Sequence, residues 1–179
     1  MANTYTLIAS QTLGTTAASV TFSSIPSTYT DLVLKWSARS DANSGSGIDT
    51  ISIKYNGVSG TSYSRTGLRG NGGGGVAASS SQTSSGYFQL GQAQDDSSAT
   101  ANTFSSGEIY IPSYTASQNK PVNAFYAQEN NISTAYLWTQ ALLFSDTSVV
   151  SSILVQSGTL GNSNFVSGSS FYLYGIKNS

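Results

Sequence analysis

The chain of 179 residues has no cysteine, no histidine, three prolines and few charges, seven basic and eight acidic. Each absence excludes something. Without cysteine the fold is not stapled by disulfides, and without cysteine or histidine the usual zinc and iron ligand sets cannot be assembled. Without histidine the common general base of neutral-pH catalysis is missing, and no GxSxG elbow offers an activated serine. No run of Lys or Arg provides an electrostatic footprint for phosphate backbones, so nucleic acid is not an expected partner. No apolar run approaches the ~18 residues of a membrane span, and Met1–Ser10 lacks the basic and apolar regions of a secretion signal. No catalytic residue, metal ligand or cofactor site is expected, and the chain reads as a non-enzyme.

What fills the space is polar but uncharged. Ser and Thr make up roughly 30% of the residues, well above average usage, while charged residues are 8%. Such a composition raises the question of disorder. Eleven Tyr, seven Phe and two Trp spread along the chain answer it, since disordered segments are poor in aromatics. One domain spanning 1–179 is expected.

Period-two alternation recurs and predicts strands. Leu32, Leu34, Trp36 and Ala38 share one parity, opposite Lys35, Ser37 and Arg39. Ile51, Ile53 and Tyr55 alternate similarly and run into Asn56-Gly57, a hairpin-turn dipeptide. Val20 and Phe22, Ile109 and Ile111, Val122 to Tyr126, Ile153 and Val155, and Phe171–Ile176 repeat the pattern. Ala135–Phe144 also places Leu137, Ala141 and Phe144 on a helical face, but its Trp, Tyr and Thr favour a strand. With weaker candidates at Tyr5–Ala9, Tyr63–Leu68 and Tyr87–Leu90, roughly ten short strands imply an all-β sandwich or barrel. The segment 70–85, with GNGGGG and SSSQTSS, reads as a Gly/Ser-rich loop.

Several constellations deserve chemical scrutiny. Asp95 and Asp96 are adjacent and read as solvated loop charges, while Glu108 and Glu129 border apolar strands and would need to face each other to act as a glycosidase pair. Asp41–Asp49 offers oxygen ligands, but its spacing departs from a calcium-binding EF-hand loop, and a polar connection is the simpler reading. Asn131-Ile132-Ser133 matches the glycosylation pattern by chance in a Ser-rich chain. Aromatics carry the clearest sign of binding. Trp36 and Trp138 lie on the apolar parity and belong to the core. Tyr172 and Tyr174 lie opposite Phe171 and Leu173, so an inward Phe171/Leu173 pair leaves both tyrosines as an outer stripe. Tyr110 and Tyr114 complete the candidate interface set.

Tyr5-Thr-Leu-Ile-Ala-Ser-Gln-Thr-Leu and the stretch from Ser19 to Leu34 resemble the opening of small structural proteins of tailed bacteriophages, notably aquatic ones. The resemblance resumes at Gly107-Glu-Ile-Tyr-Ile-Pro-Ser-Tyr, at Glu129-Asn-Asn, and at Gly168-Ser-Ser-Phe-Tyr-Leu-Tyr-Gly-Ile. It implies an antiparallel jelly-roll-like sandwich of roughly eight to ten strands without enzymatic activity. The resemblance does not specify a position in the virion, and the function expected here is that of a capsid decoration (cement) protein, made in the host cytoplasm and assembled on the virion. Its partners would be the major capsid protein and its own copies, as a homotrimer. The absence of a separate shaft or attachment segment favours this over the alternative, a tail-fibre or receptor-binding domain that recognises host surface glycans.

Overall fold

The computed structural model describes residues 4–71, 78–132 and 135–177. Its elements are β1 (Tyr5–Thr12), β2 (Ser19–Phe22), β3 (Asp31–Ala38), β4 (Ile48–Tyr55), β5 (Tyr63–Asn71) and β6 (Ala78–Ser85). They continue with β7 (Phe88–Asp95), β8 (Ser105–Ile111), β9 (Lys120–Gln128), β10 (Tyr136–Phe144), β11 (Ile153–Ser157) and β12 (Ser170–Ile176). Among the described residues there is no helix, and so none long and apolar enough to cross a membrane. The twelve strands of the described residues form two antiparallel sheets, ordered β1-β12-β3-β8-β9-β10-β5-β6 and β2-β11-β4-β7. The chain passes repeatedly from one sheet to the other, making an all-β sandwich.

The alternation expected from sequence is the alternation found. Leu32, Leu34, Trp36 and Ala38 are buried, as are Ile51, Ile53, Tyr55, Ile153, Val155, Phe171 and Leu173. Ala135–Phe144 contributes a strand rather than a helix. Its inward positions Trp138, Leu142 and Phe144 line up across the sheet with Tyr126, Val122 and Lys120.

The large sheet's aromatics fasten one irregular point of the small sheet. Between β4 and β7 the register shifts, so that Gly91–Ala93 bulges out with Gln92 at φ 55°. Trp36 Nε1 donates to the Ala93 carbonyl at 3.2 Å, Tyr126 Oη to the Gly91 carbonyl at 3.0 Å, and Trp138 Nε1 to Gln92 Oε1 at 2.9 Å. These rings lie in series, Trp36 tilted against Tyr126 at 6.1 Å and Tyr126 stacked on Trp138 at 6.2 Å. Each therefore buries a large apolar area while its polar tip finds a partner. Gly107 sits between Trp36 and Tyr126 because a Cβ there would come within 2.2 Å of the indole.

Three expectations are corrected. SSSQTSS is not loop: it forms most of β6, an edge strand paired with β5, while residues 72–77 of the GNGGGG region lie outside the described residues. β6 shows no apolar alternation in sequence because an edge strand facing solvent needs little of it. Asn56-Gly57 does form a tight turn, at φ 53° and 67° with Val58 N donating to Tyr55 O at 2.9 Å. It does not join paired strands, however; it turns the chain out of the small sheet toward β5 in the large one. Finally, Asp95 and Asp96 are fully buried rather than solvated.

Candidate functional site

The outward face of the eight-stranded sheet can be read row by row from the strand register. One row runs Leu7, Tyr174, Val33, Tyr110, Asn123, Ala141, Thr66 and Ser81. The next runs Ser10, Tyr172, Lys35, Glu108, Phe125, Thr139, Leu68 and Ser79. Directly opposed residues on antiparallel strands share a face, so these side chains form one continuous surface. Tyr5, Leu7, Leu68, Phe125 and Leu137 are each at least half exposed on it.

Charge is nearly absent from this face. Among the described strand positions that point outward, Asp31, Lys35 and Glu108 carry charge. Lys35 Nζ lies 3.1 Å from Glu108 Oε2, an exposed ion pair of small energetic value. Asp31 accepts from Tyr110 Oη and from Ser113 N, both at 2.8 Å. That hydrogen bond, followed by burial, pushes the Tyr110 phenol up to about 12.

Two of the four candidate tyrosines stand where the parity argument places them. Tyr172 and Tyr174 are half-buried on the outer face while Phe171 and Leu173 are in the core, and Tyr174 packs edge-on against Tyr5 at 6.2 Å. Tyr110 shares their face but is tethered to Asp31. Tyr114 does not share it. It is fully buried, its hydroxyl donating to the Pro26 carbonyl, because the chain turns inward after β8 through Ser113 at φ 48°. Alternation stops being informative once a strand ends.

Sequence reading passed over Phe125, Leu137 and Leu68. The signal for them was present: each is apolar on the parity opposite its strand's core residues, Phe125 between Ala124 and Tyr126 and Leu137 between Tyr136 and Trp138.

The other constellations disperse. Glu108 is paired with Lys35, and Glu129, whose Oε1 accepts from Asn131 N, lies four positions beyond the cross-strand partner of Glu108. That is about 13 Å of strand, beyond the carboxylate separations glycosidases use. Asp41 accepts two hydrogen bonds from Asn164, and Asp49 accepts from Thr50 N and Ser163 Oγ, so the 41–49 carboxylates are directed to different partners. Among the described residues no group of three acidic side chains converges as a metal site. Ser133 of the Asn131-Ile132-Ser133 pattern lies outside the described residues.

No protein-family model matches the chain, and no curated protein is similar to it. Among solved structures, the binding domain of a botulinum neurotoxin DC in complex with SialylT is similar at a TM-score of 0.25 and 10% identity. The alignment covers 96% of this chain and 43% of that one, and at this distance it carries no argument about fold or ligand.

Proposed function

We propose that this protein is a non-enzymatic structural component of a phage virion that decorates the capsid, laying the outer face of its eight-stranded sheet against the shell. The observation that carries the reading is that face itself: broad, with exposed aromatic and aliphatic side chains set among uncharged hydroxyls and amides, and its few charges already partnered. Exposed Tyr, Phe and Leu with little Lys or Glu is the composition of interface cores. The phage-like segments support the same reading, since Gly107–Tyr114 and Gly168–Ile176 hold β8 and β12, two strands that build the face. Copies arranged as trimers at local three-fold positions would multiply modest individual affinities over the particle.

Gold-labelled antibody against the protein should mark the heads of intact particles. Labelling confined to tails would sink this reading in favour of the tail-fibre alternative. Tyr172→Glu with Tyr174→Glu should abolish binding of the purified protein to heads stripped of it while leaving its far-ultraviolet circular dichroism unchanged.

A further inference from the structure

Arg65 and Arg69 stand four apart on β5, sharing the parity of the buried Tyr63 and Gly67. Both line a cleft of about 350 Å³ between the β5–β6 hairpin and the β7 bulge, together with Trp138, Gln89, Gln92 and Ser79. Among the described residues no carboxylate lines it. This sets the two half-buried arginines apart from the buried cations Arg39 and Lys120. Arg39 gives hydrogen bonds to the carbonyls of Ala99, Thr100 and Thr103 at 2.8–3.1 Å, and Lys120 to those of Ala116 and Gln118.

The cleft arginines are held but not satisfied. The Arg69 guanidinium lies 5.2 Å from the Tyr136 ring and 5.7 Å from the Trp138 ring, which fixes its plane. Its Nη1 reaches Gln92 Oε1 at 3.4 Å, an oxygen already taken by Trp138 Nε1 at 2.9 Å. Arg65 makes a long contact from Nε to Gln82 Oε1 at 3.4 Å, and its Nη1 is buried with no partner. Burial pulls the Arg65 pKa down from its ordinary value, with the phenols of Tyr126 and Tyr87 opposing that shift. On the neighbouring strand Gln140, opposite Gly67 and so between the two arginine positions, is buried beside the Tyr126 hydroxyl. A buried donor left without a partner is destabilising, and its presence calls for a reason other than stability.

We propose that this cleft binds an acidic saccharide, its carboxylate or sulfate taken by the guanidinium of Arg65 with Arg69 as the second cation. Arginine presents two parallel donors that match an oxyanion. Gln89, Gln92 and Ser79 supply amide and hydroxyl groups for the hydroxyls of the sugar. Trp138 is 3% exposed and lies against Arg69, so it orients that side chain and offers no face for stacking a neutral ring. A ligand without the anion therefore has little to hold it. The inference rests on the cleft alone and is independent of the role of the outer face.

Isothermal titration of the full chain with a trigalacturonate, a sulfated galactan oligosaccharide, a neutral cellotriose and sodium sulfate tests it. At least one acidic oligosaccharide binds and cellotriose does not. Arg65→Gln and Arg69→Gln each weaken that binding by ~10-fold or more, and Arg65→Lys, which keeps charge but loses the fork, falls between. Melting curves without ligand identify any variant that fails to fold, and the remaining arginine variant then decides. Absence of binding to both acidic oligosaccharides, or affinity unchanged by both arginine replacements, overturns the proposal. Sodium sulfate binding as tightly as the oligosaccharides overturns the saccharide and reduces the cleft to a bare oxyanion site.

Discussion

Asp95 and Asp96 are neighbours in sequence, equally inaccessible to solvent, and opposite in their effect on stability. For Asp96, burial works against the charged form, but the hydroxyls and backbone amides of Ser44 and Ser98 prevail and hold the carboxyl below its ordinary range. Its Oδ2 accepts from Ser44 N at 2.8 Å, and its Oδ1 from Ser98 N at 2.7 Å and Ser98 Oγ at 2.6 Å. For Asp95, burial is the largest influence and prevails; Asn130, Thr103 and Arg39 pull its raised pKa back only in part, while Asp96 adds to the rise. Asn130 Nδ2 reaches Oδ1 at 3.3 Å, and Oδ2 has no partner. The signs follow from linkage. A depressed carboxyl contributes stability that is present above its unfolded pKa and lost as pH falls through the folded value. A raised one contributes stability that is present at low pH and lost as pH rises through its folded value. Asp96→Asn should therefore cost about 2 kcal/mol at neutral pH and flatten the acid limb of the stability curve. Asp95→Asn should raise the melting temperature at neutral pH, with the gain shrinking toward about pH 3. Thermal melts of both variants across that range check the pair, and a neutral-pH loss from Asp95→Asn would contradict this account.

At the scale of elements, the turn after β4 shows how one side chain can hold a crossover between sheets. Asn56 Oδ1 accepts from Ser151 N at 2.8 Å, Ser152 N at 3.1 Å and Ser151 Oγ at 3.2 Å, while Nδ2 donates to Val149 O at 2.7 Å. The exit from β4 is thereby tied to the entry into β11, its partner in the small sheet. Asn56 also occupies the left-handed region, where asparagine is among the few side chains tolerated. Asn56→Ala should cost about 2 kcal/mol, seen as a lower urea midpoint at unchanged slope, and Asn56→Asp should recover much of it. The dipeptide's turn and the strands on either side of it were legible in the sequence, but that those strands lie in different sheets was not. Turn chemistry is local, whereas the choice between pairing with the next strand and crossing to the other sheet depends on residues near 150. β12 is the converse case: parity set Phe171 and Leu173 on the face opposite Tyr172 and Tyr174, and burial of the first pair then places all four. Tyr114 and Asp95 lie at or just beyond strand ends, where parity no longer assigns a face and folded-over loops decide burial.

For the whole molecule, the scarcity of charge has a measurable consequence. Among the described residues a single side-chain ion pair is present, Lys35–Glu108, with both partners about half exposed. Exposed pairs contribute about 0–1 kcal/mol and are screened by salt. The melting temperature should therefore move by no more than about 2 °C between low salt and about 1 M NaCl. A larger shift would reveal electrostatic stabilisation the fold does not display. Stability resides instead in the core between the sheets, where Tyr55, Tyr63, Phe88 and Phe144 pack with centroids 4.9–5.4 Å apart.

The sequence by itself determined the fold class, the faces of the regular strands and the poverty of reactive groups. Those properties follow from the two-residue period of a strand and from which side chains exist at all. Tertiary structure alone decided which strands are neighbours, that the outward tyrosines of β12 join Phe125 and Leu68 in one surface, and that Arg65 and Arg69 meet the β7 bulge in a cleft without a counter-charge. These depend on register and sheet order, which bring residues together across more than a hundred positions of chain and which no local pattern encodes.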